Sequence, residues 1–286
     1  MITYPEIDPT AISFGPFHFN DMVFGPLQIQ WYSVSYLLAF ATAWILAIRH
    51  SEKDWAPVKQ HQIEDLMLYG MWGVILGGRI GYMIFYNLDH WVADPTLVLR
   101  LWEGGMSFHG GLIGVLVSTF MVAKKLQIPF LSLTDFIAPL VPTGLLYGRL
   151  ANFVNQELWG RASDVPWAMI FPADPTKTPR HPSQLYEALG EGILLFLILS
   201  WFARKPRLKG EVSGLFLLLY GTVRFLIEFV RQPDTQFRDA EAILEIFNWM
   251  TRGQWLCVPM MIGGLWLIRR TIWSGFEESA DGNESQ

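Results

Sequence analysis

The sequence predicts an all-α integral membrane protein of about seven transmembrane helices with a small external cap, folded as one polytopic domain over residues 1–286. Three observations carry that prediction. Only 16% of the residues are charged and 51% are hydrophobic, where a soluble domain carries roughly 25% charged residues. Apolar runs recur at the length a bilayer demands, roughly 17 to 25 residues. Tryptophan (13) and glycine (25) are abundant, as suits helices with aromatic ends at headgroup level and close contacts to one another.

Taken in order, residues 1–30 contain no lysine or arginine and no cleavable signal pattern, so the first span must direct its own insertion. The spans are expected at 32–48, 66–86, 106–123, 136–154, 185–202, 212–230 and 255–268. The fourth is interrupted by Pro139 and Pro142, which a span tolerates where neighbouring protein satisfies the freed carbonyls. The last is short. Segments 155–183 and 231–254, rich in proline, aspartate and tryptophan, read as the external cap, and no internal repeat or low-complexity linker is visible.

Lysine and arginine in short loops set orientation. Arg49, Lys53, Lys59, Lys124, Lys125, the cluster from Arg204 to Lys209, Arg269 and Arg270 crowd one side. The opposite side carries fewer over longer loops: Arg100, Arg161, Lys177, Arg180, Arg231, Arg238 and Arg252. The crowded side is expected to be cytoplasmic, with the N-terminus outside and the C-terminus inside.

Three arginines fall within spans: Arg79, Arg149 and Arg224. An arginine at mid-span costs about 2.5–3.5 kcal/mol on insertion scales, so such residues face the protein interior and have a purpose. The expected topology places each in the outer half of its span. Tyr32 and His109 start descending spans at that level, and Asn152, Glu157 and Glu228 join them. Tyr220, Arg224 and Glu228 are four apart and share a helix face, as do Arg79 with Tyr82 and Arg149 with Asn152. Internal pairing, Arg224 with Glu228 for instance, is the structural alternative. Against it, the guanidinium fork matches a phosphate bidentately, and several forks at headgroup depth point to a lipid phosphate.

Gly77, Gly78 and Gly81, like Gly110, Gly111 and Gly114, have the spacing of close helix packing. Gly110 and Gly111 also follow His109 and can leave its ring uncovered. Cys257 is the single cysteine, so no disulfide framework or thiolate metal site is expected, and its apolar neighbours mark it as a small buried hydrophobe. The net charge of −5 decides little, because the acidic excess lies partly in loops and in the tail Glu277, Glu278, Asp281 and Glu284; nucleic acid is not an expected partner.

The stretch Gly148-Arg149-Leu150-Ala151-Asn152-Phe153-Val154-Asn155-Gln156-Glu157-Leu158-Trp159-Gly160 resembles the signature of the bacterial phosphatidylglycerol:prolipoprotein diacylglyceryl transferases. Further matches are Trp31-Tyr32, Gly77 to Tyr82, Gly105 to Gly111, Arg180 to Glu187, and Tyr220 to Arg224 continuing through Glu228 to Asp234. The segment before His181 is shorter than in some relatives. The resemblance implies a seven-span enzyme of the bacterial inner membrane whose site opens to lipid and periplasm. Its substrates would be phosphatidylglycerol and the signal peptides of preprolipoproteins. The diacylglyceryl group would pass to a lipobox cysteine thiol, giving a thioether and glycerol phosphate.

By the same resemblance Arg149 and Arg224 match essential arginines. Tyr32, His109, Asn152, Glu157, Gly160, Tyr220 and Glu228 match positions associated with the site, and the in-membrane Arg79 is read as a further lipid contact. The chemistry needs no metal or other cofactor. Arg149 and Arg224 suit the phosphate, His109 suits the base, and Glu157 and Glu228 suit orientation of the arginines and Asn152, since carboxylates touching the phosphate would repel it. The protein is expected to act as a monomer in the bilayer. A transporter is disfavoured by the lack of an inverted repeat, and a serine protease by Ser107 and His109 pointing apart on a helix.

Overall fold

The structure, a computed structural model, describes residues 2–19, 22–232 and 250–284, with the backbone alone at 18, 22–24 and 271–284. Much of the predicted cap segment 231–254 lies outside these residues. Internal contacts divide the chain into two compact units, Leu46–Ile137 and the remainder, Met1–Ile45 with Ala138–Gln286. The helices are α1 (Trp31–Ser51), α2 (Ile63–Tyr86), α3 (Leu88–Ala93), α4 (Phe108–Leu126), α5 (Phe130–Ile137), α6 (Val141–Val154), α7 (Ser183–Glu187), α8 (Leu195–Phe202), α9 (Glu211–Ile227) and α10 (Arg252–Glu284).

Each of the seven apolar segments predicted from sequence lies mainly on helix, with 106–107, 138–140 and 228–230 outside it. Trp31–Ser51, Gln60–Tyr86 and Ser183–Phe202 are long and apolar enough to cross a membrane, and the broken pair α5 and α6 makes a fourth if taken together. The break at 138–140 has a local cause. Pro142 sits in the first turn of α6, where its missing N–H costs nothing, and so marks a new helix start. Outward residues such as Leu37, Leu197, Trp201 and Leu226 are exposed; apolar groups covering a helix in this way suit acyl chains as solvent.

In the unit Leu46–Ile137, α2 and α4 pack along a seam of glycines. A Cβ on Gly114 would lie 2.0 Å from the Gly73 carbonyl oxygen, and one on Gly77 2.4 Å from that of Gly110. Only hydrogen fits there, so the backbones touch directly. Glu64 and Asp65 begin α2 and Lys124 and Lys125 end α4, as the helix dipole prefers, and Lys125 Nζ pairs with Asp65 at 2.6 Å.

In the other unit, short strands accompany the helices, a departure from the all-α expectation. The strand β1 (Ile2–Thr3) runs parallel to β6 (Met169–Ile170), which pairs antiparallel with β7 (Pro179–Arg180). The pairs β2 (Thr10–Phe14) with β5 (Leu27–Gln30) and β3 (Phe17–Phe19) with β4 (Met22–Phe24) are antiparallel. Strands of two to five residues are too short for a period-two pattern to register. Tyr4 donates to the carbonyls of Phe153 and Val154 at the end of α6 and packs with Phe153 and Phe171. In the loop before β7, burial raises the Asp174 carboxyl, but hydrogen bonds from Arg180 and Thr176 outweigh it and bring it down to about 2.

A second core joins Ala138, Leu195, Leu199, Ala203 and Val212 with Phe216, Leu219, Tyr220 and Val223. It binds α8 to α9. Between α7 and α8 the chain widens into a π-helix over Ala188–Leu194, a rare form that concentrates at functional sites.

Candidate functional site

Three helices of the larger unit bring charged side chains together in an apolar setting. From α6 comes Arg149, from the α7 to π-helix stretch come Glu187 and Glu191, and from α9 and the residues after it come Arg224, Glu228 and Arg231. Arg149 places Nε 3.2 Å from Glu187 Oε2 and Nη2 3.3 Å from Glu191 Oε2. Arg224 meets Glu187 Oε1 through Nη1, which also lies 3.6 Å from Glu191 Oε1, while its Nη2 donates to Glu228 Oε2 at 2.9 Å. Arg231 Nε stands 3.6 Å from Glu187 Oε1. Glu187 thus touches all three arginines.

Burial orders this cluster. The side chains of Glu187 and Glu191 are 0% exposed, whereas Arg149 keeps 18% and Arg224 13%. Among the described residues, Arg149 Nη1 and Arg224 Nε make no hydrogen bond. The acids sit fully buried against arginines that retain accessible surface and one free donor group each. Tyr220 lies close enough to Glu191 and Arg224 to interact electrostatically, as Tyr32 does with Glu157 and Arg149.

The neighbouring residues are held by the loop after α6. Asn152 Nδ2 donates to Glu157 Oε1 at 2.8 Å, and Gln184 Nε2 to the Glu157 carbonyl at 2.7 Å. Gly160 donates its N–H to the His181 carbonyl, and a Cβ there would lie 2.6 Å from the Val230 oxygen. Gly160 therefore lets this loop lie flat against the chain leaving α9, next to Arg231.

Arg79 and His109 belong to the other unit. Arg79 is 3% exposed and spends its whole fork on backbone: Nε donates to Val98 O, Nη1 to Gly104 and Gly105, Nη2 to Leu97 and Arg100. While that loop is in place, no donor remains for a phosphate. His109 is exposed in the first turn of α4, with its ring edge-on to Phe108 at 5.7 Å between centroids. Gly110 is consumed by the seam against Gly77, whereas Gly111 meets only the Val74 oxygen at 3.7 Å. Ser107 caps α4, its Oγ accepting from Gly110 N at 3.2 Å. That hydroxyl is thereby engaged in structure.

Local spacing revealed the Arg224 to Glu228 pair but not Glu187, Glu191 or Arg231. The available signal was two acids four residues apart inside an apolar span, as conspicuous in principle as the arginines.

A sequence model described as prolipoprotein diacylglyceryl transferase matches residues 21–270. The chain belongs to that family. A protein of Pseudomonas fluorescens named phosphatidylglycerol--prolipoprotein diacylglyceryl transferase is 49% identical over 270 residues, covering 94% of each chain. The likewise named protein of Methylococcus capsulatus is 49% identical over 269 residues, covering 94% of this chain and 97% of its own. That of Pseudomonas putida is 48% identical over 270 residues, 94% of this chain and 95% of its own. The family match spans α1 to α9 and so includes every member of the arginine and carboxylate cluster.

Proposed function

We propose that the chain transfers the diacylglyceryl group of phosphatidylglycerol to the lipobox cysteine of preprolipoproteins, the first step of lipoprotein maturation. Family membership supports the reaction, and the two accessible arginines backed by buried carboxylates support the place where it occurs. The cysteine sulfur forms a bond to the terminal carbon of the diacylglycerol. The bond from that carbon to the phosphate oxygen breaks, and its electron pair leaves with glycerol phosphate.

Arg149 and Arg224 hold the phosphate through their remaining donors and stabilise the charge growing on the departing oxygen, the electrostatic task with the largest usual return. Glu228 orients Arg224, and Glu157 orients Asn152, by the contacts already described. Tyr32, Tyr220 and Gly160 complete the binding surface. His109 takes the thiol proton, a role resting on residue type and on its exposure in the first turn of α4. Arg79 serves by shaping the loop 97–105 that leads into α4 rather than by touching lipid.

The protein works as a monomer with seven spans, its cap and N-terminus in the periplasm and its C-terminus in the cytoplasm, as the distribution of lysine and arginine supports. Purified protein with phosphatidylglycerol and a lipobox peptide provides the test. The peptide should gain the mass of one diacylglyceryl unit at its cysteine; an unmodified peptide under conditions where a relative is active would refute the reading.

A further inference from the structure

Anion binding by Arg149 and Arg224 does not require Glu187 or Glu191, yet both acids are wholly buried against these arginines. With Glu228, three carboxylates face three guanidinium groups. Burying acids is costly, and acids beside a phosphate weaken its binding, so a function must offset both effects. The reaction itself supplies one. The substrate phosphate is a diester with one negative charge. The product is a monoester whose second ionisation has a pKa of about 6, so at neutral pH it is mostly a dianion.

An uncompensated arginine cluster would therefore hold its product more tightly than its substrate. We propose that Glu187 and Glu191 balance the charge of Arg149, Arg224 and Arg231 so that glycerol phosphate is released after each turnover. The inference rests on the assignment of the phosphate to Arg149 and Arg224. Geometry suits the role: the acids are fully buried while the arginines keep accessible surface, so they can act on the phosphate by charge without having to touch it. Glu187 also fixes the spacing of three cations, one from α6 and two from α9 and the residues after it. Both acids are positioning residues in this scheme, and neither takes part in bond making.

The test is product inhibition of the full-length protein in phosphatidylglycerol vesicles, with glycerol phosphate as the added probe. Glu191→Gln keeps the side-chain shape and removes one negative charge a few ångströms from the site. The inhibition constant of glycerol phosphate should fall by about tenfold or more. The steady-state rate should drop below the single-turnover rate, giving a burst. Glu191→Asp, which keeps the charge, should retain an inhibition constant near wild type. A merely structural role would lower the active fraction and scale both rates alike, leaving the inhibition constant unchanged, and that result overturns the proposal.

Should Glu191→Gln fail to accumulate, the wild type alone decides. A balanced site binds glycerol phosphate and the singly charged deacylated headgroup of phosphatidylglycerol within a few-fold of each other. A preference for the dianion of tenfold or more overturns the inference. Arg149→Lys and Arg224→Lys separate it from the reading beneath it. If inhibition is untouched in both, the phosphate assignment itself falls. If they weaken inhibition while Glu191→Gln leaves it unchanged, only the charge-balancing role falls.

Discussion

Arg79 and the pair Arg149 with Arg224 look alike in the sequence, each an arginine inside an apolar run, and the structure gives them opposite surroundings. Around Arg79 the partners are five backbone carbonyls, fixed dipoles that take every N–H and cannot leave without unfolding the loop. Around Arg149 and Arg224 the partners are carboxylates, which cancel charge but leave one donor group on each arginine open. The carbonyl cage uses an arginine to hold a loop. In the function proposed above, the carboxylate cluster uses arginines to hold an exchangeable anion. The type of partner, carbonyl or carboxylate, is what separates these arginines.

The sharpest way to break that comparison is to remove the arginines of the cluster. Arg149→Ala and Arg224→Ala should abolish transfer to the lipobox peptide. The lysine variants, which keep charge without the planar fork, should lower kcat/KM by about 10²–10³. Normal transfer by both alanine variants at wild-type protein levels would show that the cluster is another structural knot.

His109 comes next. A positioned base contributes roughly 10²–10⁴ in rate, so His109→Ala should lose about that factor near pH 7. The loss should shrink toward pH 9, because a free thiol with a pKa of about 8.5 then ionises unaided. Rates from pH 6 to 9 at saturating lipid decide the matter. A deficit that does not change with pH removes His109 from the role of base.

Arg79→Lys tests the other side. It strands several loop carbonyls, each costing about 1–3 kcal/mol when buried and unpaired. Thermal stability should therefore fall, and the folded fraction should keep its KM for phosphatidylglycerol. A raised lipid KM with unchanged stability would return Arg79 to the binding surface and erase the distinction.

The smallest effect belongs to Cys257. It is buried, its carbonyl abuts Gly221, and it is close enough to Arg224 to feel that charge. In the proposed reaction the thiol is the substrate's, so Cys257→Ala should keep near-normal activity. A lipid adduct found on Cys257 by mass spectrometry would replace direct transfer with a covalent intermediate.

What the sequence made legible follows the range of the interactions. The apolar segments are local features, and all of them lie mainly on helix. The Arg224 to Glu228 contact is an i, i+4 pair, and spacing anticipates it. Glu187 and Glu191 lie 37 and 42 residues from the arginines they meet by hydrogen bond, and nothing in local spacing announces a partner on another helix. Reasoning from phosphate chemistry also worked against them, since acids repel an anion when considered alone. The cage around Arg79 was hidden for a different reason: its acceptors are main-chain carbonyls of residues 97–105, which any residue type can supply.

The glycine seam between α2 and α4 has a mechanical consequence. Two helices meeting through ordinary side chains can slide or roll slightly as rotamers readjust, but these two meet where a single added methyl group would collide with backbone. The contact behaves as a keyed joint with one permitted setting. The height of the first turn of α4 against α2, and with it the position of His109 on that pair, is therefore indexed by atoms that take no part in the chemistry. Gly73, Gly77 and Gly114 act as the ruler from which the His109 side chain is measured.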